Sequence, residues 1–400
     1  MVCNLEDMPW HVPTIFILIS IICLLSSCPK EIEIDEWLTY GYSETRTNSC
    51  PLGPKPPLIL KWKFKTEGRI VYPPVIANNI VYFGSRDGYI YAVSTEGEAL
   101  WKYNMGQGGM YHSLTYKDGR IYAGFWTQPY ALIILDAQTG QSMGKLETGE
   151  VADLPLTVTV DNNFIYVNTD EMDLQNTPVF SLPTTLISFM AISIESGEIA
   201  WKIPLEGTLS APAAIFKDSL YISTSNENRI YSLDKLTGNI NWKYELMDNT
   251  LSSPVIEEDK IFINDKSGYI YCIDREKATL NWRYKFDTGT YPALAVSKGV
   301  VFTGGEDGYL YAFDSKNTEL KWKYKTYKPI AANAVIGNGC VYIGSLDDYL
   351  YILDEETGKV LWRYKTNDDI EAGVAISSKM LFLGSTDGYL YAFAESQPKN

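Results

Sequence analysis

Residues 331–362 read AANAVIGNGCVYIGSLDDYLYILDEETGKVLW. A short apolar segment ends in AVIGNG, and then come CVYIGS, a turn at Asp347-Asp348, YLYILD, a second turn EETG, and KVLW. CVYIGS and YLYILD read as strands that alternate inward and outward residues. Other copies of the unit carry Asp87-Gly88, Asp307-Gly308 or Asp387-Gly388 at the first turn. Asp-Gly between β-rich segments predicts a two-residue hairpin whose central residues both take φ > 0. Four antiparallel strands in about 40 residues make one blade of a β-propeller.

Tryptophan gives the period. It stands at 62, 101, 201, 242, 282, 322 and 362, at spacings of 39, 100, 41, 40, 40 and 40. The long gap hides a unit, because Thr139-Gly140 matches Thr237-Gly238 and Thr357-Gly358, each five and four residues before a tryptophan. Gly144 therefore stands where a further indole is expected. The three inner strands of eight blades are expected at about 71–94, 110–136, 152–194, 210–234, 250–274, 289–314, 330–354 and 370–394, each of the first seven followed by its outer strand. The eighth blade runs out of chain after Ala394, while Leu58 to Thr66 (LILKWKFKT) is a tryptophan strand with no blade of its own. Pairing the two covers both bare edges. The expected fold is all-β: a monomeric eight-bladed β-propeller of four-stranded antiparallel blades over 58–396, closed by an N-terminal strand that completes the last blade.

Bulk properties agree. Of 400 residues, 46% are hydrophobic and 13% aromatic, with 29 tyrosines, a composition suited to strands and not to disorder. The net charge of −15 repels phosphate backbones, which excludes nucleic acid as a partner. Cysteines at 3, 23, 28, 50, 272 and 340 form no CxxC pair, so neither zinc nor a redox motif is indicated. Cys272 and Cys340 fall in non-neighbouring units, too far apart to bridge, and read as small buried apolar residues.

The N-terminus reads as an address and an anchor. Thr14 to Leu25, TIFILISIICLL, is an apolar run of 12 residues, shorter than the roughly 20 needed to cross a bilayer but suited to a signal-peptide core. Leu25-Ser26-Ser27-Cys28 follows and resembles the bacterial lipobox, which implies a signal peptide over 1–27 and lipidation of Cys28. Met1 to Pro13 holds Glu6 and Asp7 and no Lys or Arg, against the usual positive charge; Met8 is an alternative start that would leave out the two acids. Residues 28–57 read as the lipidated cysteine and a flexible tether reaching about 90 Å.

Leu353 to Trp362, LDEETGKVLW, resembles the PQQ (quinoprotein) repeat, with its Asp, Thr-Gly and Trp; Asp234 to Trp242 repeats it. The resemblance covers 58–394. It implies that Trp62, Trp101, Trp201, Trp242, Trp282, Trp322 and Trp362 dock between neighbouring blades as structural residues. It also offers two functions. Quinoprotein dehydrogenases of the family bind PQQ and calcium at the propeller axis, and tend to be longer with an adjacent Cys-Cys pair. Lipoproteins similar to the propeller subunit of the outer-membrane β-barrel assembly machinery bind no cofactor and act as scaffolds. This chain is closer in type to the second group in size, in its lipobox and in lacking a Cys-Cys pair. The expectation is a non-catalytic scaffold, anchored through Cys28 to an envelope membrane, with an envelope protein as partner and neither cofactor nor metal. A PQQ- and calcium-dependent dehydrogenase and a glycan- or peptide-binding propeller are the alternatives.

Other chemistry finds little support. His112 is the one histidine left after signal removal, and there is no HExxH or GxSxG. GQSMGKL at 140–146 is one residue short of a P-loop and reads as a hairpin turn. Asp87, Asp307 and Asp387 are explained by their turns.

Departures from the repeat cluster in blades one to three. The linker 105–112, MGQGGMYH, supplies Met105, Met110 and Tyr111; blade two replaces its tight turn with Phe125, Trp126 and Tyr130 among 125–130. Blade three, read as wanting its tryptophan, inserts about 17 residues with Val179, Phe180 and Leu182. In an up-and-down blade these connections share one end, so together they form an expected aromatic docking face. The plainer account is that these loops pack on one another.

Overall fold

In a computed structural model of the protein, the residues described are 36–106, 113–124, 130–149, 157–170, 186–209, 211–289 and 294–396. The chain divides into units 1–34 and 35–400, and everything described belongs to the second. Among these residues eight antiparallel sheets follow one another along the chain, spanning 75–104, 115–149, 158–206, 214–245, 255–285, 295–325, 335–365 and 374–395. They are the eight blades of the propeller. No helix among the described residues is long and apolar enough to cross a membrane.

Blade five shows the pattern. Val255–Glu257, Lys260–Asn264, Tyr269–Asp274 and Leu280–Lys285 pair in sequence. Its second and third strands are buried on nearly every residue, with Ile261, Phe262, Ile263, Ile270, Tyr271, Cys272 and Ile273 all at or below 1% exposure. The expected in–out alternation is absent there because neighbouring blades cover both faces of each sheet. It appears in the outer strand, where alternate side chains such as Trp282 and Tyr284 turn inward. The core is therefore divided into clusters between blades; one joins Val255, Phe262 and Cys272 of blade five to Val296, Val301 and Phe313 of blade six. Each such side chain contributes about 1.5–3 kcal/mol by leaving water. Cys272 and Cys340 are buried free thiols, and burial pushes the Cys272 thiol up to about 11.

The turn chemistry differs from expectation. In Ser85-Arg86-Asp87-Gly88 only Gly88 has positive φ, and its N–H donates to the Ser85 carbonyl. Asp87 instead uses its carboxylate, accepting from the Tyr89 N–H at 3.1 Å and the Tyr91 hydroxyl at 2.8 Å. The two-residue turns with both residues at φ > 0 lie one hairpin earlier, at Asn78-Asn79, Asp118-Gly119, Lys298-Gly299 and Asn338-Gly339.

The ring closes as read. Leu58–Lys65 pairs antiparallel with Tyr389–Glu395, Leu58 opposite Glu395 and Trp62 opposite Ala392. The stretch before it departs from a tether. From Trp37 onward it is part of the folded body, because its backbone bonds to the blades.

Candidate functional site

The innermost strand of a blade has one bare edge, which faces the ring's lumen and leaves a backbone N–H at its middle residue without a partner inside the blade. Here one passing segment supplies the acceptors. The N–H groups of Ile76, Tyr116, Ile215, Ile256, Val296 and Ile336 donate to the carbonyls of Trp37, Leu38, Glu44, Thr45, Thr47 and Asn48 at 2.7–2.9 Å. The segment thus visits blades one, two, four, five, six and seven in order. Ser49–Cys50 then runs parallel to Val335–Gly337 of blade seven, and Leu58–Lys65 completes blade eight.

Arg46 lies at the middle of this circuit, 1% exposed. Its guanidinium donates to the Ala213 carbonyl at 3.0 Å, to the Thr39 and Thr159 hydroxyls at 2.7 and 3.2 Å, and to the Tyr40 carbonyl. The partners are neutral dipoles from blades three and four and from the segment itself, and desolvation lowers the Arg46 pKa to about 10. Gly41, at φ +77, packs so closely that a Cβ there would lie 2.9 Å from the Arg46 Cα. Asn48 donates from Nδ2 to the Leu294 carbonyl at 2.9 Å, and Asn333 to the Tyr40 hydroxyl at 2.6 Å.

This is the axial position at which the repeat resemblance puts PQQ and calcium, and the described residues do not fit that pair. Calcium takes six to eight oxygen ligands, and an anionic quinone wants free donors. The chain's own backbone runs through the site, and the donors of its one buried guanidinium are committed to Ala213, Thr39, Tyr40 and Thr159.

Beside the segment, a cavity of about 570 Å³ is walled by Glu257, Ser297, Lys298 and Glu355. Glu355 accepts from the Ser297 hydroxyl at 2.8 Å and from Lys298 at 3.0 Å. Burial pushes the Glu257 carboxyl up. Asp348, Asp368 and Asp369 converge on the surface, where Lys365 and Lys328 sit 3.7 and 3.5 Å from Asp348 and Asp369.

The tryptophans dock as expected. Trp62, Trp101, Trp201, Trp242, Trp282 and Trp322 donate their indole N–H to the carbonyls of Thr95, Ala137, Lys235, Arg275, Ser315 and Glu355 in the next blade, at 2.9–3.1 Å. An indole suits this seam because it joins a large apolar body to one donor. Trp362 packs edge-on against Phe393 of blade eight, ring centroids 5.6 Å apart. One expectation is corrected: Trp201 lies on the outer strand of blade three, opposite Ala191, while the seat without an indole is in blade two, where Gly144 faces Ile134.

Of the residues expected to meet a partner, Met105 is 6% exposed and belongs to the cluster between blades one and two, so it does not face a partner. Tyr130 begins the third strand of blade two opposite Gly149. Met110, Tyr111, Phe125, Trp126, Val179, Phe180 and Leu182 lie outside the described residues, as do Cys28 and His112. The strands that flank them are described: Arg120–Gly124 and Tyr130–Asp136 in blade two, Phe164–Asp170 and Leu186–Ser193 in blade three. In both pairs the second-to-third-strand turn itself lies outside the described residues. In blade one that turn lies beside the exit to the next blade, where the Met105 N–H donates to the Gly88 carbonyl.

The axial segment was missed by sequence reasoning. Its signal was present in the density of large side chains, Trp37, Tyr40, Tyr42 and Arg46, which a solvated tether does not need.

Comparison with known proteins gives three results. The family model described as outer membrane protein assembly factor BamB matches residues 60–244, 248–339 and 329–397. A curated outer membrane protein assembly factor BamB from Moranella endobia (strain PCIT) is 21% identical over 225 residues, covering 52% of this chain and 53% of the relative, so the match spans about half of each. Solved structures share the fold. Quinohemoprotein alcohol dehydrogenase from Comamonas testosteroni has a TM-score of 0.77 at 14% identity over 92% of this chain and 82% of its own. A europium-containing methanol dehydrogenase has 0.76 at 15% over 90% and 98%. BamB from Moraxella catarrhalis has 0.68 at 17% over 84% and 99%.

Proposed function

The chain belongs to the family of the outer membrane protein assembly factor BamB, and from that premise we propose that it is a non-catalytic scaffold of the cell envelope which docks a protein partner on one face of the propeller. The observation that carries the reading is the occupied axis. Six blades give their lumenal N–H to the segment Trp37 to Asn48, so the centre of the ring serves cohesion, and recognition falls to its rims. The dehydrogenases share this chain's fold at 14–15% identity, a likeness that carries no activity with it.

The anchored form of the proposal places residues 1–27 as the export signal and Cys28 as the acylated residue. Residues 29–36 then separate Cys28 from Trp37, a reach of about 25 Å at 3.3 Å per residue. The ring is held near the bilayer, and its partner is a membrane protein or lies close to one. The partner face is assigned to the rim bearing Tyr111, Phe125, Trp126 and Phe180.

The test is cross-linking in native envelopes with the full chain, comparing it with a Trp126→Ser, Phe180→Ser variant of unchanged melting temperature. One dominant cross-linked protein, lost in the variant, is expected; recovery unchanged by the variant refutes the assigned face. Radiolabelled fatty acid incorporated by the full chain and not by Cys28→Ala tests the anchor.

A further inference from the structure

Seven of the eight outer strands carry a tryptophan in the seam to the next blade, and the second carries Gly144. The rest of that seam is built as if the indole were there. A glycine in the next blade's turn lies flat beneath the ring in four other seams: a Cβ on Gly97, Gly140, Gly238 or Gly358 would come within 2.5–2.9 Å of Trp62, Trp101, Trp201 or Trp322. Gly197 is the counterpart facing Gly144, and neither has any atom within 4 Å of a built Cβ. The space between them is a cavity of about 320 Å³ lined by Tyr122, Ile134, Ile165, Ile192 and Ile194.

The hydrogen-bond acceptor is retained as well. The carbonyls that take the indole N–H belong to residues whose own amides are fixed by the first hairpin turn of their blade: Thr95 by Asn79, Ala137 by Gly119, Lys235 by Asp218. Ile194 is held in the same way, its N–H donating to the Asn163 carbonyl at 2.9 Å. Among the described residues no donor reaches the Ile194 carbonyl.

We propose that this cavity is a binding site for a planar aromatic ring carrying one N–H donor, of the indole class, with the ring between Gly144 and Gly197 and the N–H directed to the Ile194 carbonyl. The chemistry is that of the protein's own seams, supplied in trans. The apolar walls give the affinity and the single carbonyl fixes the orientation. The ring is either that of a free small molecule or that of a tryptophan side chain on another chain, and both enter past Met143, which is 53% exposed at the rim.

The test uses the full ring and fluorine-detected NMR with 5-fluoroindole. Saturable binding is expected with a dissociation constant of roughly 0.1–1 mM, as suits a ligand of this size. 5-Fluoro-1-methylindole, which lacks the donor, is expected to bind about fivefold more weakly. Gly144→Trp seats an indole covalently and is expected to abolish binding while raising the melting temperature; Gly144→Ala leaves the seat open and is expected to retain it. A parallel titration with N-acetyl-5-fluorotryptophanamide separates the sources: binding at least as tight as that of free fluoroindole assigns the site to a side chain, and binding by fluoroindole alone assigns it to a small molecule. Absence of saturable binding by both probes, equal binding of the methylated probe, or binding that survives in folded Gly144→Trp overturns the proposal.

Discussion

Trp62 donates its indole N–H to the carbonyl of Thr95 at 2.9 Å, although Trp62 lies on the strand that completes the last blade and Thr95 directly follows the third strand of the first. The closing strand is thus fastened twice, by its ladder to Tyr389–Glu395 and by one side chain to blade one. Trp62→Ala removes an apolar ring and a hydrogen bond together and is expected to lower unfolding free energy by about 3 kcal/mol. Leu60→Ala, on the same strand but 39% exposed, is expected to stay within about 0.5 kcal/mol of the parent. Urea denaturation of the two variants decides; equal losses would mean that the seam contact adds nothing to the ladder.

Gly238 and Gly197 hold the same turn position in successive blades, at φ +73 and +72. Alanine at either incurs left-handed backbone strain of about 1 kcal/mol. At Gly238 it also meets Trp201, 2.6 Å from the built Cβ, and at Gly197 it meets nothing. Gly238→Ala is expected to cost a further 1–3 kcal/mol, roughly, through displacement of the indole. Matching denaturation midpoints for the two variants would contradict the flat stacking of ring on glycine.

Arg46→Ala strands the Tyr40 carbonyl and leaves Ala213, Thr159 and Thr39 only the longer Thr159–Ala213 and Thr39–Thr115 bonds, at 3.2 and 3.3 Å, in a buried site. The expected loss is roughly 1–3 kcal/mol, the range for leaving a buried neutral acceptor without its donor. Limited proteolysis gives an independent reading, with new cleavage between residues 36 and 57 before any cut in the blades. A variant in which that stretch stays protected would show that the backbone bonds hold it without the guanidinium.

Tyr91, Tyr311, Tyr351 and Tyr391 donate their hydroxyls to Asp87, Asp307, Asp347 and Asp387. Burial first, and then the carboxylate, push each phenol above its ordinary value of 10. Because the folded pKa exceeds the unfolded one, the stability these groups contribute is complete below pH 10 and is lost as pH rises above it. The urea midpoint is therefore expected to hold up to about pH 9.5 and then fall. Absorbance at 295 nm is expected to show these tyrosines ionising only as the ring unfolds, and their titration in the folded protein would contradict the pairing.

The ring was legible because its information is periodic. Tryptophans at a fixed interval and the orphan strand at Leu58 state the number of blades and the manner of closure, and local pairing then follows from the pattern. The hairpin chemistry was less so: Asp-Gly at 87–88 suits two turn geometries, and what separates them is the bond from Asp87 to Tyr91, which lies beyond the turn. The axial segment was illegible for a different reason. Residues 37–48 form no strand among themselves, and six of them bond through their carbonyls to six different blades, so neither period two nor any repeat marks them. Their placement on the ring comes from contacts about 40 to 290 residues away, such as Trp37 with Ile76 and Asn48 with Ile336, beside a few local turns.

That arrangement also sets an order of assembly. The first part of the body to leave a ribosome or an export channel is the axial segment, and it has no place to settle until blades one to seven exist. The strand after it waits longer still, since Leu58 pairs with Glu395 near the far end of the chain. Contacts so distant in sequence slow folding. Meanwhile the nascent chain carries Trp37, Trp62 and Phe64 without their native neighbours, the kind of exposed strand that aggregates. A product shortened by its last blade would lose more than one wedge, because the hub and the clasp of the ring are a single piece of chain.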